Sequence, residues 1–248
     1  MAKSRLTIAI IGYGDFSKLM IRYLNPYADI MVASRQKALK KHRLNFQHVS
    51  LKTVLSQQII IPSMPAQFLE EFFVKNRQLL NPKALVIDVC SVKVKPVEVL
   101  QKALPKTVQI LATHPLFGPA STQNGLAGQK IMMYPVRLPK AKYQRIKYFV
   151  SERLKLEVIE TTPEEHDQMM AYAQGLSHYI GRVMQLMEIP EGKLSTKAYN
   201  DLLDMKNIQG QDSMELFASI MFQNPYALEI NKKFKSTLKE LDHQLGIK

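Results

Sequence analysis

The residues with the clearest chemical potential are a serine and a histidine that each follow a predicted strand. Ser91 ends the segment ALVIDVCS, and His114 ends the segment VQILATH. The carboxyl ends of strands in an open α/β sheet form the edge that binds ligands, so both side chains are predicted to face one cleft. Pro115 restricts the backbone of His114 to an extended conformation, which holds the imidazole in place for general-base chemistry. The alternative interpretations are a structural histidine and a serine that caps a helix beginning near Val94.

A glycine turn near the N-terminus has the features of a dinucleotide-binding site. The predicted strand LTIAII runs into GYGDFS and then into a predicted helix. Gly12 permits the tight turn, and Gly14 lets the backbone approach a pyrophosphate at the helix N-terminus. Ser17 stands where the third glycine of the fingerprint is expected, and a plain glycine turn is the alternative. The candidate cofactor-binding residues of this region are Gly12, Gly14, Asp15, Phe16 and, after the strand QQIIIPS, Ser63.

The end of the second predicted strand indicates which nucleotide this turn binds. The strand DIMVAS is followed by Arg35, and neither Asp nor Glu stands where a NAD site usually carries one for the ribose hydroxyls. Arg35 is suited to pair with a 2′-phosphate, Ser34 to donate a hydrogen bond to it, and Lys37 adds positive charge nearby. The sequence therefore favours NADP over NAD. A solvated basic helix that begins at Arg35 is the alternative.

Seven short apolar segments predict the fold class, which is α/β. Most of them are continuously apolar, as expected for strands covered on both faces, and helical stretches separate several of them. This βαβ series predicts a Rossmann-type, mostly parallel sheet domain in residues 1–162. After Thr162 apolar residues recur at spacings of three and four, which is the helical period. Residues 163–248 are therefore predicted to form an all-helical domain.

The first helix of the second domain carries a polar stripe. Gln174, His178 and Arg182 recur every four residues beside an apolar face. A stripe with two potential cations suits a dicarboxylic acid, and a solvated helix face is the alternative interpretation. Gly175 and Gly181 each cost roughly 1 kcal/mol of helix stability relative to alanine, so they predict close packing against another helix or a ligand.

Composition and charge exclude several classes of protein. The chain has 248 residues and no apolar run that approaches the roughly 20 residues of a membrane helix. The formal net charge of +13 attracts anions, but the basic residues are scattered and no nucleic-acid-binding motif is present, so we expect neither a nucleic-acid nor a membrane partner. Cys90 is the single cysteine, which rules out an internal disulfide and a cysteine metal cluster. We therefore expect a cytoplasmic protein without a metal site.

Longer motifs taken together are similar to those of one enzyme family. THPLFGP, with GYGDF, DVCSVK, TTPEEHD, LSHYIGR and STKAYNDLLDM, resembles the arogenate/prephenate dehydrogenase (TyrA) family, and most of all its plant-like, NADP-using arogenate branch. The resemblance extends over nearly the whole chain, as far as DSMELFASIMFQNPYA. It implies a Rossmann domain, a helical dimerisation domain that forms a homodimer, and an active site between the two domains.

The resemblance also implies a reaction and residue roles. The reaction is the oxidative decarboxylation of a small cyclohexadienol dicarboxylic acid, arogenate or prephenate, on the route to tyrosine. By matching motif positions, His114 is the base that engages the substrate hydroxyl, Ser91 orients the same group, and His178 contacts the substrate. Gln174 and Arg182 share the stripe of His178 and are further candidates for substrate binding.

One departure from the prephenate-type bacterial pattern concerns the ring carboxylate of the substrate. Asp204 stands near the position where that pattern has an arginine, so a carboxylate-binding arginine is missing there. Arg182 and Lys197 are the candidate substitutes. Asp212 is the candidate partner for the amino group that distinguishes arogenate from prephenate.

Two other functions remain open at the level of the sequence. One is another two-domain Rossmann oxidoreductase that acts on a β-hydroxyacid or an imine. Such enzymes usually carry a catalytic lysine on the long helix, and residues 164–187 contain no lysine. The other is a regulatory protein that binds NADP without turnover, for which Ser17 would be the first sign of lost catalysis.

Overall fold

The computed structural model describes residues 5–35, 44–210 and 212–247. The chain divides into two compact units, of which the first ends at Pro163 and the second begins at Glu164. The first, called the sheet unit, contains one eight-stranded sheet. The second, called the helical unit, has helices as its regular structure throughout its described residues.

The sheet is mostly parallel, as the apolar segments predict. Its strand order is β3-β2-β1-β4-β5-β6-β7-β8, and the pairing of β7 with β6 is antiparallel. The direction of strand progression reverses between β1 and β4, which is the point where open α/β sheets bind ligands. The strands are β1 (Leu6–Ile11), β2 (Ala28–Ala33), β3 (Gln47–His48), β4 (Ile59–Pro62), β5 (Leu85–Asp88), β6 (Gln109–Pro115), β7 (Lys130–Arg137) and β8 (Glu157–Glu160).

Helices connect the strands of the sheet unit. Ser50 begins one of them as an N-cap, because its hydroxyl accepts a hydrogen bond from the N–H of Thr53 at 3.1 Å. In the part of the chain that the structure describes, no helix combines the length and the apolar composition needed to cross a membrane. The helices are α1 (Asp15–Leu24), α2 (Leu51–Leu55), α3 (Leu69–Asn76), α4 (Val94–Ala103) and α5 (Lys140–Tyr148), and α5 continues as a π-helical turn, Phe149–Arg153.

Helices cover both faces of the sheet, which explains why its strands are continuously apolar. On one face, Ile21 of α1 packs with Ile10 of β1. On the other face, Phe73 of α3 and Leu100 of α4 pack with Ile60 of β4, and all three are nearly inaccessible to solvent. The predicted Rossmann-type α/β fold is confirmed. The two-residue strand β3 was not predicted, because so short a segment has no detectable alternation.

The long helix predicted after Thr162 is present, but it contains a π-helical segment. It consists of α6 (Pro163–Met170), the π-helical segment Ala171–Leu176 and α7 (Ser177–Leu186). A π-helical segment changes the direction in which the following side chains point and is frequent at functional sites. The polar stripe expected of a regular helix is therefore rotated just before His178.

Among the described residues of the helical unit, three more helices follow: α8 (Lys197–Gly210), α9 (Met214–Gln223) and α10 (Ala227–Gln244). A Cβ at Gly181 of α7 would lie 2.7 Å from Cγ of Gln209 on α8. A Cβ at Gly175 would lie 3.4 Å from Cβ of Ala227 on α10. Both glycines thus permit close packing of one helix against another, which is the first of the two explanations that the sequence offered.

Candidate active site

The glycine turn after β1 is tightly constrained at its first glycine. Gly12 has a φ of +106°, and a Cβ there would lie 2.3 Å from the carbonyl oxygen of Ser63. The N–H of Gly12 donates to the carbonyl oxygen of Ala33 at 2.9 Å, which ties the turn to the end of β2. Any side chain at Gly12 would therefore strain the backbone and collide with the chain at the end of β4.

The second glycine of the turn meets open space. A Cβ at Gly14 would have no heavy atom within 4 Å, and Gly14 is the N-cap residue of α1. The first N–H groups of a helix have no partner within the helix, and the helix dipole makes this end positive. An open approach to such a helix end fits the pyrophosphate of a dinucleotide. The residues present are thus compatible with a nicotinamide dinucleotide.

The remaining residues of the turn have distinct surroundings. Ser17 is fully buried, and its hydroxyl donates to Oγ of Ser63 at 2.9 Å. Ser17 therefore performs the packing role of the third glycine, and Ser63 supports the turn from β4. Asp15 is exposed and pairs with Lys18 at 2.7 Å. The ring of Phe16 lies 6.3 Å from that of Phe117, centroid to centroid.

The end of β2 lies beside the glycine turn. β1 and β2 pair in parallel with Ile11 opposite Ala33, so Ser34 and Arg35 follow β2 at the edge of the sheet where Gly12 follows β1. Arg35 is exposed and Ser34 is half-buried. Lys37, the third candidate for the 2′-phosphate, lies outside the described residues.

A buried polar cluster lies where β5 and β6 end. The carboxylate of Asp88 accepts from Nζ of Lys93 and from the N–H of Cys90, the latter at 2.9 Å. Nζ of Lys93 also donates to the carbonyl oxygen of Thr113 at 2.6 Å, and the hydroxyl of Thr113 donates to the carbonyl oxygen of Asp88 at 2.7 Å. The side chains of Asp88 and Lys93 are both fully buried. This cluster fixes the loop after β5 against the residue that directly precedes His114.

His114 is the second-to-last residue of β6 and lies opposite Met132 of β7. It is 4% exposed, so its imidazole is held within the structure. Ser91 lies in the loop between β5 and α4 and is half-buried. The residue at the N-cap position of α4 is Lys93, two residues after Ser91. The carboxyl edge of β5 and β6 thus carries both side chains that the sequence singled out.

The helical unit brings together three of the sequence-predicted substrate residues. Nδ1 of His178 lies 2.9 Å from the carbonyl oxygen of Gln174, and Nε2 lies 2.9 Å from the carboxylate of Asp212. Both of these partners are acceptors, whereas a neutral imidazole has a single N–H. The ring is thus held from both sides, by the backbone of its own helix and by Asp212.

Arg182 joins this group one helical turn further along α7. Its guanidinium donates to the carbonyl oxygen of Asp212 and lies 5.7 Å from the ring centroid of Phe217, over the ring face. The imidazole of His178 stacks on Phe217 with ring centroids 6.5 Å apart. Oε1 of Gln174 is buried without a hydrogen-bond partner in the described residues, so it has an acceptor position to offer. Two potential cations thus lie against one aromatic ring.

Lys197 lies apart from this group. It is at the start of α8, its side chain is 88% exposed, and it pairs with Asp201 one turn later at 2.9 Å. A long cation that is already paired on an open helix face is a weak holder of a substrate carboxylate. Of the two substitutes for the missing arginine, Arg182 is therefore the one that the fold places beside His178.

The sequence analysis did not identify two pairs of buried polar side chains. Asp88 and Lys93 both belong to the motif DVCSVK, but a carboxylate at a strand end and a lysine five residues later gave no signal of a buried pair. His166 and Asp167 are a second missed pair, buried, with Nδ1 to Oδ1 at 2.7 Å. Asn224 donates to the carbonyl oxygen of Asp167 at 2.8 Å, which ties α6 to the end of α9. His166 and Asp167 end the motif TTPEEHD, which is the sequence feature from which this buried pair could have been predicted.

Comparison with known families agrees with this architecture. Residues 28–153 match the family described as prephenate dehydrogenase, nucleotide-binding domain. Residues 183–248 match the family described as TYRAAT1-like, C-terminal domain. A nucleotide-binding sheet unit of this kind defines the class of protein, which is a dehydrogenase with a nicotinamide cofactor.

Individual relatives narrow the class further. Arogenate dehydrogenase 2, chloroplastic, of Arabidopsis thaliana is 31% identical over 263 residues, with coverage of 96% of this chain and 70% of the relative. Arogenate dehydrogenase 1, chloroplastic, of the same plant is 26% identical, and this chain spans 39% of its length. The chain therefore belongs to the arogenate/prephenate dehydrogenase family, and the resemblance to the plant-like branch is confirmed.

A solved structure shows the same fold. Prephenate dehydrogenase from A. aeolicus in complex with hydroxyphenyl propionate and NAD+ aligns with a TM-score of 0.73 at 20% sequence identity. The alignment covers 99% of this chain and 92% of that chain. The sheet unit followed by a helical unit is thus the fold of this family.

Proposed function

We propose that this protein catalyses the NADP-dependent oxidative decarboxylation of arogenate, prephenate or both. The observation that carries the proposal is the position of His114 and Ser91 at the carboxyl edge of β5 and β6, in a chain whose motifs and relatives belong to this family. Ser91 lies in the loop between β5 and α4 and is half-buried. The pair is suited to engage one substrate hydroxyl.

In the proposed reaction, His114 accepts the proton of the substrate hydroxyl while Ser91 orients that hydroxyl. A bound nicotinamide supplies the acceptor for the hydride that leaves the carbinol carbon. Loss of the ring carboxylate as carbon dioxide gives an aromatic ring, which drives the reaction forward. A positioned general base contributes about 10² to 10⁴ in rate, so the buried support of His114 by the Asp88 and Lys93 cluster matters for its alignment.

The substrate is held by groups of the helical unit in this proposal. Arg182 supplies positive charge for a dicarboxylic acid, His178 supplies an imidazole beside it, and Gln174 supplies an amide acceptor. Asp212 is the candidate that recognises the amino group of arogenate, since its side chain is 36% exposed. Because that carboxylate also binds His178, the two roles are coupled.

The preference for NADP rests on the residues after β2. Arg35 and Ser34 are suited to a 2′-phosphate, and both follow β2 beside the glycine turn. Gly12, Gly14 and the start of α1, with Asp15 and Phe16, would hold the pyrophosphate region. A homodimer through the helical unit and a cytoplasmic location, both expected from the sequence, complete the proposal.

The test is a spectrophotometric assay with arogenate and prephenate, each against NADP and NAD. We expect turnover with NADP, and we expect His114→Asn to lower kcat/KM by about 10² to 10⁴ with unchanged NADP affinity. The matched control is His243→Asn at the exposed end of α10. Near-normal turnover of His114→Asn would remove this residue from the mechanism, and tight NADP binding without turnover in the wild type would favour the regulatory protein.

A further inference from the structure

A large apolar cavity lies within the sheet unit, on the face of the sheet that carries α1. Its volume is about 510 Å³. Its walls include Ile61, Leu85 and Leu111 of the sheet, Met20 of α1, and Phe149 of the π-helical turn after α5. Protein interiors contain few voids larger than a water molecule, and an apolar cavity of about 150 Å³ already binds benzene. This cavity has the size of a ligand site.

The lining of the cavity determines which ligand chemistry fits. Met20, Tyr23 and Phe149 line the cavity and are half-buried, so the part of the lining that is open to a ligand is apolar. The hydroxyl of Thr113, which also lines the cavity, is already used in its hydrogen bond to Asp88. None of the described residues that line the cavity is acidic. The inner part therefore suits an alkyl chain and offers little to a polar ligand.

The mouth of the cavity is marked by the lining residues that remain exposed. Tyr27 is 40% exposed, its ring meets the ring of Phe149 edge to face at 5.1 Å, and its hydroxyl donates to the carbonyl oxygen of Arg153 at 3.1 Å. Arg145 lies one helical turn before Phe149 and so projects from the same side of the helix. The side chains of Arg145 and Arg153 are both exposed lining residues. Two exposed arginines therefore belong to the lining of one opening.

We propose that this cavity binds a free, single-chain fatty acid. The alkyl chain occupies the apolar interior, and the carboxylate lies at the mouth between Arg145 and Arg153. Guanidinium groups recognise carboxylates through paired hydrogen bonds, and they bind this group better than a neutral alcohol of the same length. The site is separate from the proposed dehydrogenase chemistry, and its test uses binding alone.

Isothermal titration calorimetry with decanoate tests the proposal, with decan-1-ol as the uncharged ligand of equal chain length. We expect saturable binding of one decanoate per chain and weaker binding of decan-1-ol. The double substitution Arg145→Glu with Arg153→Glu is expected to raise the Kd for decanoate by about tenfold or more. The matched control is Arg22→Glu, an equal charge change at an exposed residue of α1 that does not line the cavity.

A second variant probes the interior. Met20→Trp fills the cavity from α1 and is expected to abolish decanoate binding, and the introduced residue is the only tryptophan of the chain, so its fluorescence reports whether the site is folded. Three outcomes overturn the proposal. The first is that titration with decanoate gives no saturable heat. The second is that decan-1-ol binds with the same Kd as decanoate and that the arginine double variant leaves the Kd for decanoate unchanged. The third is that the wild-type protein is a dimer that does not bind decanoate, and that Met20→Trp makes this dimer dissociate. The last result would assign the face to a second copy of the chain.

Discussion

The sheet unit and the helical unit each contain a cluster of charged side chains, and the two clusters are built in opposite ways. In the sheet unit, Asp88 and Lys93 are fully buried, and backbone groups at the ends of two adjacent strands complete their hydrogen bonds. In the helical unit, His178 is buried but Asp212 is 36% exposed, and Asp212 lies in the segment between α8 and α9. The first cluster depends on the sheet, and the second depends on how α7 packs against that segment.

The two clusters are therefore expected to have different roles, the first in the stability of the fold and the second in substrate binding. Removing a partner from a buried ion pair leaves an uncompensated charge, whereas exposed pairs contribute little to stability. Substitutions in the first cluster should therefore change folding, and substitutions in the second should change substrate binding. The predictions for Lys93 and Asp212 test this contrast directly, and two others concern the nucleotide turn and Glu160; all four are ordered from the largest expected effect to the smallest.

Lys93→Met is expected to destabilise the protein most. The carboxylate of Asp88 would remain buried with one charge partner fewer, which costs about 3–5 kcal/mol in proteins. Urea denaturation followed by circular dichroism measures the change in free energy of unfolding. Adding Asp88→Asn to Lys93→Met should recover part of the loss, because the amide keeps the bond to Cys90 without a buried charge. Equal stability of wild type and Lys93→Met would contradict the structural role of the pair.

The two glycines of the nucleotide turn should respond differently to alanine. Gly12→Ala meets the Ser63 carbonyl oxygen and requires a left-handed backbone, which costs about 1–2 kcal/mol for a residue with a Cβ, before any clash. Gly14→Ala enters open space, so its stability should stay near that of the wild type while NADP affinity falls. Thermal denaturation with and without NADP distinguishes these effects. A Gly14→Ala protein that binds NADP normally would argue against a pyrophosphate at α1.

Asp212→Asn is expected to change recognition more than folding. The loss of charge weakens the bond to His178 and removes the candidate partner of the arogenate amino group. A charged hydrogen bond contributes about 1.5–3 kcal/mol, so KM for arogenate should rise about tenfold or more, with a smaller change for prephenate. The ratio of kcat/KM for the two substrates is the measurement. An unchanged ratio would exclude Asp212 from substrate discrimination.

The smallest effect concerns a partly exposed carboxylate of the sheet unit. Hydrogen bonds from Lys147 and from Tyr143 lower the pKa of Glu160 below its ordinary value. A carboxyl with a lowered folded-state pKa stabilises the protein above its unfolded pKa, and this contribution disappears as the pH falls through the folded value. Glu160→Gln should therefore reduce the Tm slightly at pH 7 and leave it unchanged at pH 2. An equal loss at both pH values would mean that charge is not the cause.

Much of the fold was predictable, because the strands and helices follow local patterns. The seven apolar segments all became strands, and the switch from strand to helical spacing after Thr162 marks the start of α6. The π-helical segment Ala171–Leu176 was not predictable, since its residues fit a regular helix equally well. Its formation depends on packing against α9 and α10, which no single-sequence pattern encodes.

The candidate site was predictable in part. Gly12, Ser91 and His114 could be singled out because strand ends and glycine turns often carry ligand-binding groups, and their roles stay predictions. The contact between His178 and Asp212 joins residues 34 positions apart and depends on how α7 meets the segment between α8 and α9. The buried pair of Asp88 and Lys93 was missed because lysine is rarely fully buried, and composition alone favours a solvated side chain.

Cys90 is a natural probe of local unfolding around the end of β5. Its thiol is nearly inaccessible, and burial together with the Asp88 carboxylate raises the pKa of the thiol well above its ordinary value. A thiol in this state reacts with alkylating reagents through openings of the core around the end of β5, because the thiolate is the reactive form. Since it is the only cysteine of the chain, the rate of its labelling would time those openings directly, in the wild-type protein and without any added reporter group.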